Sequence, residues 1–107
     1  FYLRVRKVND DAIDYIQILA KLRIQIDGFD GRLLEVLGDR MKVAGKIGLL
    51  KKEKNVAILQ NQRWNEILGK MILEGEEKGL SNEFVMHLFK AIHQESIVHQ
   101  EKVINQL

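Results

Sequence analysis

The chain has 107 residues, 46% of them hydrophobic and 30% charged, with neither cysteine nor proline; this is one globular domain able to bury a core, not a disordered segment. Against 17 basic residues stand 15 acidic ones, and the net charge of +2 makes no polyelectrolyte field for nucleic acid. Lack of cysteine excludes disulfides, thiolate catalysis and Cys-ligated zinc and suits a cytoplasmic protein, and no apolar run reaches membrane-spanning length.

The opening Phe1-Tyr2-Leu3-Arg4-Val5-Arg6-Lys7 has no initiator Met and no apolar signal-peptide core. Residues 1–10 therefore read as a lead or linker from something longer, and 11–107 as the domain proper. Asn9, Asp10 and Asp11 offer capping chemistry for a first helix from about Asp11 to about Lys54. Steps of three and four trace its apolar seam through Leu19, Leu22, Ile26, Phe29, Leu33, Val36, Arg40, Val43, Ile47 and Leu50. Such a helix spans roughly 60 Å, whereas a compact domain of this size has a radius of gyration of about 13 Å. Much of it must find cover on another chain. Gly31, Gly38 and Gly45 are heptad-spaced along it and read either as a line of close helix approach or as a tolerated weakness.

A charged break at Lys51-Lys52-Glu53-Lys54-Asn55 precedes a second helix, whose face runs Val56, Leu59, Arg63, Ile67 and Met71 before Gly75 and Gly79 end it. A third helix starts with Ser81 as N-cap, Glu83 in its first turn and Leu80 set to staple onto Val85. Its stripe continues through Leu88 or Phe89, Ile92, Ser96, Gln100 and Val103. The expected fold is all-α, three helices with one very long first helix.

Polar side chains interrupt every stripe: Arg40 on the first helix, Arg63 on the second, Ser96 and Gln100 on the third. A guanidinium does not shed its proton to escape a dry environment, so Arg40 demands an anion or a polar cavity. Taken singly, an ion pair to a nearby carboxylate or snorkelling accounts for each arginine, back-bonding accounts for Ser96, and partial exposure for Gln100. Taken together they point to a pocket biased toward an anion within a helical bundle. Lys51, eleven residues past Arg40, shares its face at roughly 16 Å. His87, His93 and His99 are six apart, a spacing that spreads them around the helix and offers no i, i+4 metal pair; they read as surface or rim residues. Trp64 reads as packing and Asp10-Asp11 as capping. No Ser-His-Asp order, phosphate loop or paired-carboxylate motif stands out.

Leu22-Arg23, Ile26-Asp27, Asp30, Leu33-Leu34, Leu37, Asp39-Arg40, Val43-Ala44, Ile47, Lys51, Arg63, Phe84-Val85, Leu88-Phe89, Ile92, Ser96 and Gln100 together resemble the all-helical AroQ-type chorismate mutase family. The resemblance covers roughly residues 19 to 105. It implies an intertwined homodimer of three-helix protomers with shared active sites. It also implies a pericyclic rearrangement of chorismate to prephenate without cofactor or metal, in which the protein holds the reactive conformer and stabilises charge on the breaking ether oxygen. By the same resemblance Arg40 binds a substrate carboxylate, Arg23 reaches in from the partner chain, and Lys51 contacts a carboxylate and the ether oxygen. Gln100 is the second donor to that oxygen, Ser96 a carboxylate contact, and Arg63 lines the site. Where relatives carry acidic residues for the substrate hydroxyl, this chain has Gln60 and Trp64; Gln60 can still bond a hydroxyl, whereas Trp64 has nothing to accept with. The chain most resembles the mutase domain that follows a DAHP synthase in a fusion. An isochorismate-pyruvate lyase shares the fold and cationic site, and a non-catalytic regulatory or dimerisation domain is the reading from a different class.

Overall fold

A computed structural model describes residues 2–58 and 60–106, with side chains from 10 to 58 and from 60 to 105. Leu59, part of the expected second-helix stripe, lies outside the described residues, as do the side chains of the lead up to Asn9. Three helices make up the chain, α1 (Tyr2–Glu53), α2 (Asn61–Glu77) and α3 (Asn82–Gln106), and no strand occurs among the described residues. The all-α reading with a very long first helix holds. Its start does not: α1 begins at Tyr2, nine residues before the Asp11 expected. Asp10 and Asp11 lie exposed within it, where backbone N–H groups already have partners one turn back and leave a capping carboxylate nothing to do.

The chain divides into two compact units, Phe1–Leu37 and Gly38–Leu107. In the first, residues 2–37 are all helix. From Asp10 to Leu37 every side chain but Leu19 and Leu37 is exposed, including Leu34 at 70%, Ile24 at 69% and Phe29 at 58%. Among the described side chains of this unit, the apolar ones other than Leu19 and Leu37 are therefore uncovered.

The second unit packs the end of α1, from Gly38 onward, with α2 and α3. Met41, Ala44, Val85 and Ile92 form its buried apolar centre. A Cβ on Gly48 would stand 2.7 Å from the Gln100 Cα, so α1 and α3 come together there at a distance only glycine allows. Gly45 is next to Val103, whose Cγ2 would lie 3.4 Å from an added Cβ, but Gly31 and Gly38 have nothing within 4 Å. Within this unit, close approach of α1 to α3 therefore falls on Gly48, while Gly45 meets Val103 at ordinary van der Waals distance.

The C-termini of α1 and α2 are closed by the same device. After α1, the Val56 N–H reaches Lys51 O at 2.8 Å and the Asn55 N–H reaches Lys52 O at 3.2 Å, with Asn55 left-handed at φ 56. After α2, Leu80 and Gly79 repeat the pattern onto Gly75 O (2.9 Å) and Glu76 O (3.1 Å), with Gly79 at φ 81. These are Schellman caps, placed where asparagine and glycine tolerate the left-handed region. The first one corrects the expected second helix: Val56 belongs to the connecting loop and is 43% exposed, and α2 starts only at Asn61. Ser81 caps α3 as expected, its Oγ accepting the Phe84 N–H at 3.2 Å. Leu80 and Val85 both border Gly75, where an added Cβ would meet Val85 Cγ2 at 2.6 Å.

Candidate active site

Within the second unit the three helices enclose a cavity of about 420 Å³. From α1 come Arg40, Val43, Ala44, Ile47 and Lys51; from the loop and α2 come Ile58, Gln60, Arg63, Trp64 and Ile67; from α3 come His93, Ser96, Ile97 and Gln100. Six of the seven site residues expected from the sequence, Arg40, Lys51, Gln60, Arg63, Ser96 and Gln100, thus share one wall system. The seventh, Arg23, belongs to the first unit, where it is exposed, and is not among the lining residues.

Arg40 is held by α3. Its Nη1 donates to Ser96 Oγ at 2.5 Å. The same hydroxyl donates its own proton to Ile92 O at 2.9 Å and lies 3.7 Å from Met41 Sδ. Ser96 is only 7% exposed, so back-bonding and a role beside Arg40 are simultaneous. Ion pairing does not explain the arginines: among the described residues the salt bridges join Lys70 to Glu74, His87 to Glu83 and His99 to Glu95, and none involves Arg40, Lys51 or Arg63. Burial first, and then repulsion from Arg63, pull the Arg40 pKa below its ordinary value.

Lys51 spans the loop and α3. Its Nζ donates to Ile58 O at 2.6 Å and to Gln100 Oε1 at 3.1 Å. An ammonium has three protons, so one is left for the cavity. Because the Gln100 carbonyl oxygen is taken by Lys51, its amide NH₂ is the end left to donate outward. Burial lowers the Lys51 pKa, and among the described residues none that lines the cavity is acidic. The cavity presents three cations and neutral donors to whatever enters.

His93 completes the wall and is not the surface or rim residue its spacing to the other histidines suggests. Its ring stacks on Trp64, with centroids 4.2 Å apart and planes at 19°, and its pKa is lowered by burial first, then by Arg40 and Lys51. The signal was present in the spacing to Ser96 and Gln100, three and seven residues on, which puts all three on one helical face. His87 and His99 instead pair with glutamates one turn away. Among the described residues no three of His, Asp or Glu gather as a metal site, and no helix is long and apolar enough to cross a membrane.

Three helices around a cation-lined cavity without carboxylates define a small all-α domain suited to an organic anion. Residues 22–101 match chorismate mutase type II, and the chain belongs to that family. It is 32% identical over 82 residues to a bifunctional chorismate mutase/prephenate dehydratase of Buchnera aphidicola subsp. Acyrthosiphon pisum (strain APS), a match covering 77% of this chain and 21% of that protein. The corresponding protein of Buchnera aphidicola subsp. Schizaphis graminum (strain Sg) is 28% identical over 81% of this chain and 23% of its own length. The T-protein of Haemophilus influenzae (strain ATCC 51907 / DSM 11121 / KW20 / Rd) is 22% identical over 84% of this chain and 24% of its own. The chain thus spans about a fifth to a quarter of the curated relatives it matches. By name, the Buchnera proteins pair a chorismate mutase with a prephenate dehydratase, a different combination from the DAHP synthase fusion expected above.

Proposed function

We propose that this chain is an isomerase that converts chorismate to prephenate in the cavity between Arg40, Lys51 and Gln100. The observation that carries the reading is the charge of the wall, three cations with no acidic residue among the lining side chains. Chorismate is a dicarboxylate with an ether bridge and one ring hydroxyl. Its rearrangement breaks the ether C–O bond as a new C–C bond forms in one concerted shift of electrons. No atom, proton or redox equivalent is exchanged, so the work is positioning and charge stabilisation.

Arg40, steadied by Ser96, receives one carboxylate. Lys51 offers its third proton to a second carboxylate and to the ether oxygen, and the Gln100 amide offers a second donor to that oxygen. Arg63 adds positive charge to the wall, and Gln60 is a neutral polar contact. About 420 Å³ falls in the range of roughly 300–1,000 Å³ usual for small-molecule sites. The pairing of Lys51 with Gln100 at 3.1 Å supports the assignment, because two donors converging on one developing charge gain most when fixed in advance.

The exposed apolar residues between Ile13 and Val36 support a second part of the proposal, a homodimer in which this segment packs on another copy and brings Arg23 to the partner's site. A cytoplasmic protein in which the mutase domain is fused to a DAHP synthase completes it, and the size and second activity of the native polypeptide test that point. For the activity itself the experiment is direct. Purified protein incubated with chorismate should consume it and yield prephenate in equal amount. No consumption overturns the reading, and salicylate formed from isochorismate would replace it with the lyase.

A further inference from the structure

The neutral polar side chains on the cavity wall are Gln60, Trp64, His93, Ser96 and Gln100. Ser96 is committed to Arg40 and Ile92 O, and the Gln100 oxygen to Lys51. An indole N–H only donates. Gln60 and His93 remain as groups able to accept from a hydroxyl, with no side-chain hydrogen bond of their own among the described residues. They differ in how firmly they are held. Gln60 is exposed at the N-cap of α2, where a long side chain loses rotamer freedom on each engagement. His93 is half-buried on α3 and fixed face to face on Trp64.

We propose that His93, clamped against Trp64, receives the ring hydroxyl of the substrate and is the residue by which this cavity distinguishes a hydroxylated dicarboxylate from one lacking the hydroxyl. The inference rests on the chorismate reading and adds to it a specificity-determining residue. A neutral imidazole carries one donor and one acceptor nitrogen and so matches both halves of a hydroxyl. Burial first, and then Arg40 and Lys51 on the facing helix, disfavour the second proton that would remove the acceptor. Trp64 then has a function beyond packing: it fixes the plane of the imidazole and hence where its nitrogens point.

The test compares kcat/KM for chorismate with that for the analogue whose ring hydroxyl is replaced by hydrogen, both on one preparation so that any unfolded fraction cancels. Wild-type protein should prefer chorismate by about tenfold or more, the worth of one buried hydrogen bond. In His93→Phe, which keeps a ring against Trp64 but has no nitrogen, that ratio should fall to within about twofold of one. His93→Gln, with an acceptor restored, should recover part of it. An unchanged ratio in His93→Phe, or collapse in Gln60→Leu instead, overturns the inference while leaving the mutase reading intact. No turnover of either compound by the wild type removes that reading and this one together.

Discussion

Gly48 and Gln100 meet so closely that a single added carbon on Gly48 would sit 2.7 Å from the Gln100 Cα and 2.9 Å from its Cβ. The crossing of α1 and α3 is therefore fixed at the residue that presents one of the two proposed ether-oxygen donors, and one helical turn before it on α3 stands Ser96. Packing and chemistry share one contact.

Gly48→Ala should reveal this coupling. Overpacking of a tight contact costs about 1–3 kcal/mol, only partly offset by about 1 kcal/mol of helix propensity. We expect a lower denaturation midpoint and a kcat loss larger than the unfolded fraction explains, because the backbone under Gln100 must shift. Gly69→Ala is the control: its Cβ would meet nothing within 4 Å, and it should stabilise α2 by up to about 1 kcal/mol. Equal behaviour of the two variants in urea unfolding would contradict this account of the crossing.

How much of this was legible beforehand depended on whether a residue's partner was encoded nearby. Ser81 announced its cap because the N–H it satisfies is three residues away. Arg40, Ser96 and Gln100 stood out because each breaks an apolar period, and a broken period inside a bundle is an energetic cost that needs a reason. Gly48 was unmarked, since only the crossing with α3 distinguishes it from Gly38. The start of α1 is not legible at Asp10 and Asp11 because capping residues matter only where N–H groups are free. The α2 start is hidden because Val56 and Leu59 continue an apolar spacing across a turn set by Asn55. The wall formed by His93 and Trp64 joins two helices, and neither stripe alone implied the stack.

Replacing Arg40 should separate stability from function. The guanidinium is part-buried beside Arg63 with no anionic partner in the cavity, and such a charge is costly until a ligand arrives. Arg40→Met removes that cost, and Ser96 keeps its bond to Ile92 O at 2.9 Å. The variant should match or exceed the wild-type denaturation midpoint while losing at least about 10²-fold in kcat/KM, as when a charged hydrogen-bonding partner is removed. A clear fall in midpoint would mean that Arg40 has a structural duty.

Two groups set the expected pH dependence. The Lys51 pKa is lowered by burial, so kcat/KM, which reports the free enzyme, should be flat around neutrality. It should decline on the alkaline side below the ordinary lysine value of about 10.4. Lys51→Arg should move that decline out of the accessible range, whatever its effect on the plateau, since a guanidinium does not titrate there. A decline that persists belongs to another group.

His93 acts on the acid side and on stability. With its folded pKa lowered, the unfolded chain takes up the proton first as pH falls through the ordinary histidine value of about 6.5. Its contribution is therefore fully present above that value and is lost on acidification until the folded imidazole also titrates. Burial, and then the cations Arg40 and Lys51, oppose this protonation. His93→Phe should show a shallower loss of urea stability between neutrality and about pH 5 than the wild type. Parallel slopes would remove His93 from the acid response.

The dimer proposal has a test that needs no structure of the complex. If Arg23 serves the partner's site while Lys51 serves its own, Arg23→Ala and Lys51→Ala should each lose at least about 10²-fold in kcat, as for a removed oxyanion donor. In a mixed dimer both lesions fall in the same site, one from each chain, and the other site is intact. Subunit exchange of equal amounts makes half of the dimers mixed, each with one working site, so roughly a quarter of wild-type activity should return if exchange is random. The recovery should grow with time as exchange proceeds and depend on total concentration. Activity that stays at the sum of the two variants, while exchange is demonstrated by a label, would show that Arg23 and Lys51 act within one chain or that Arg23 has no part in the site.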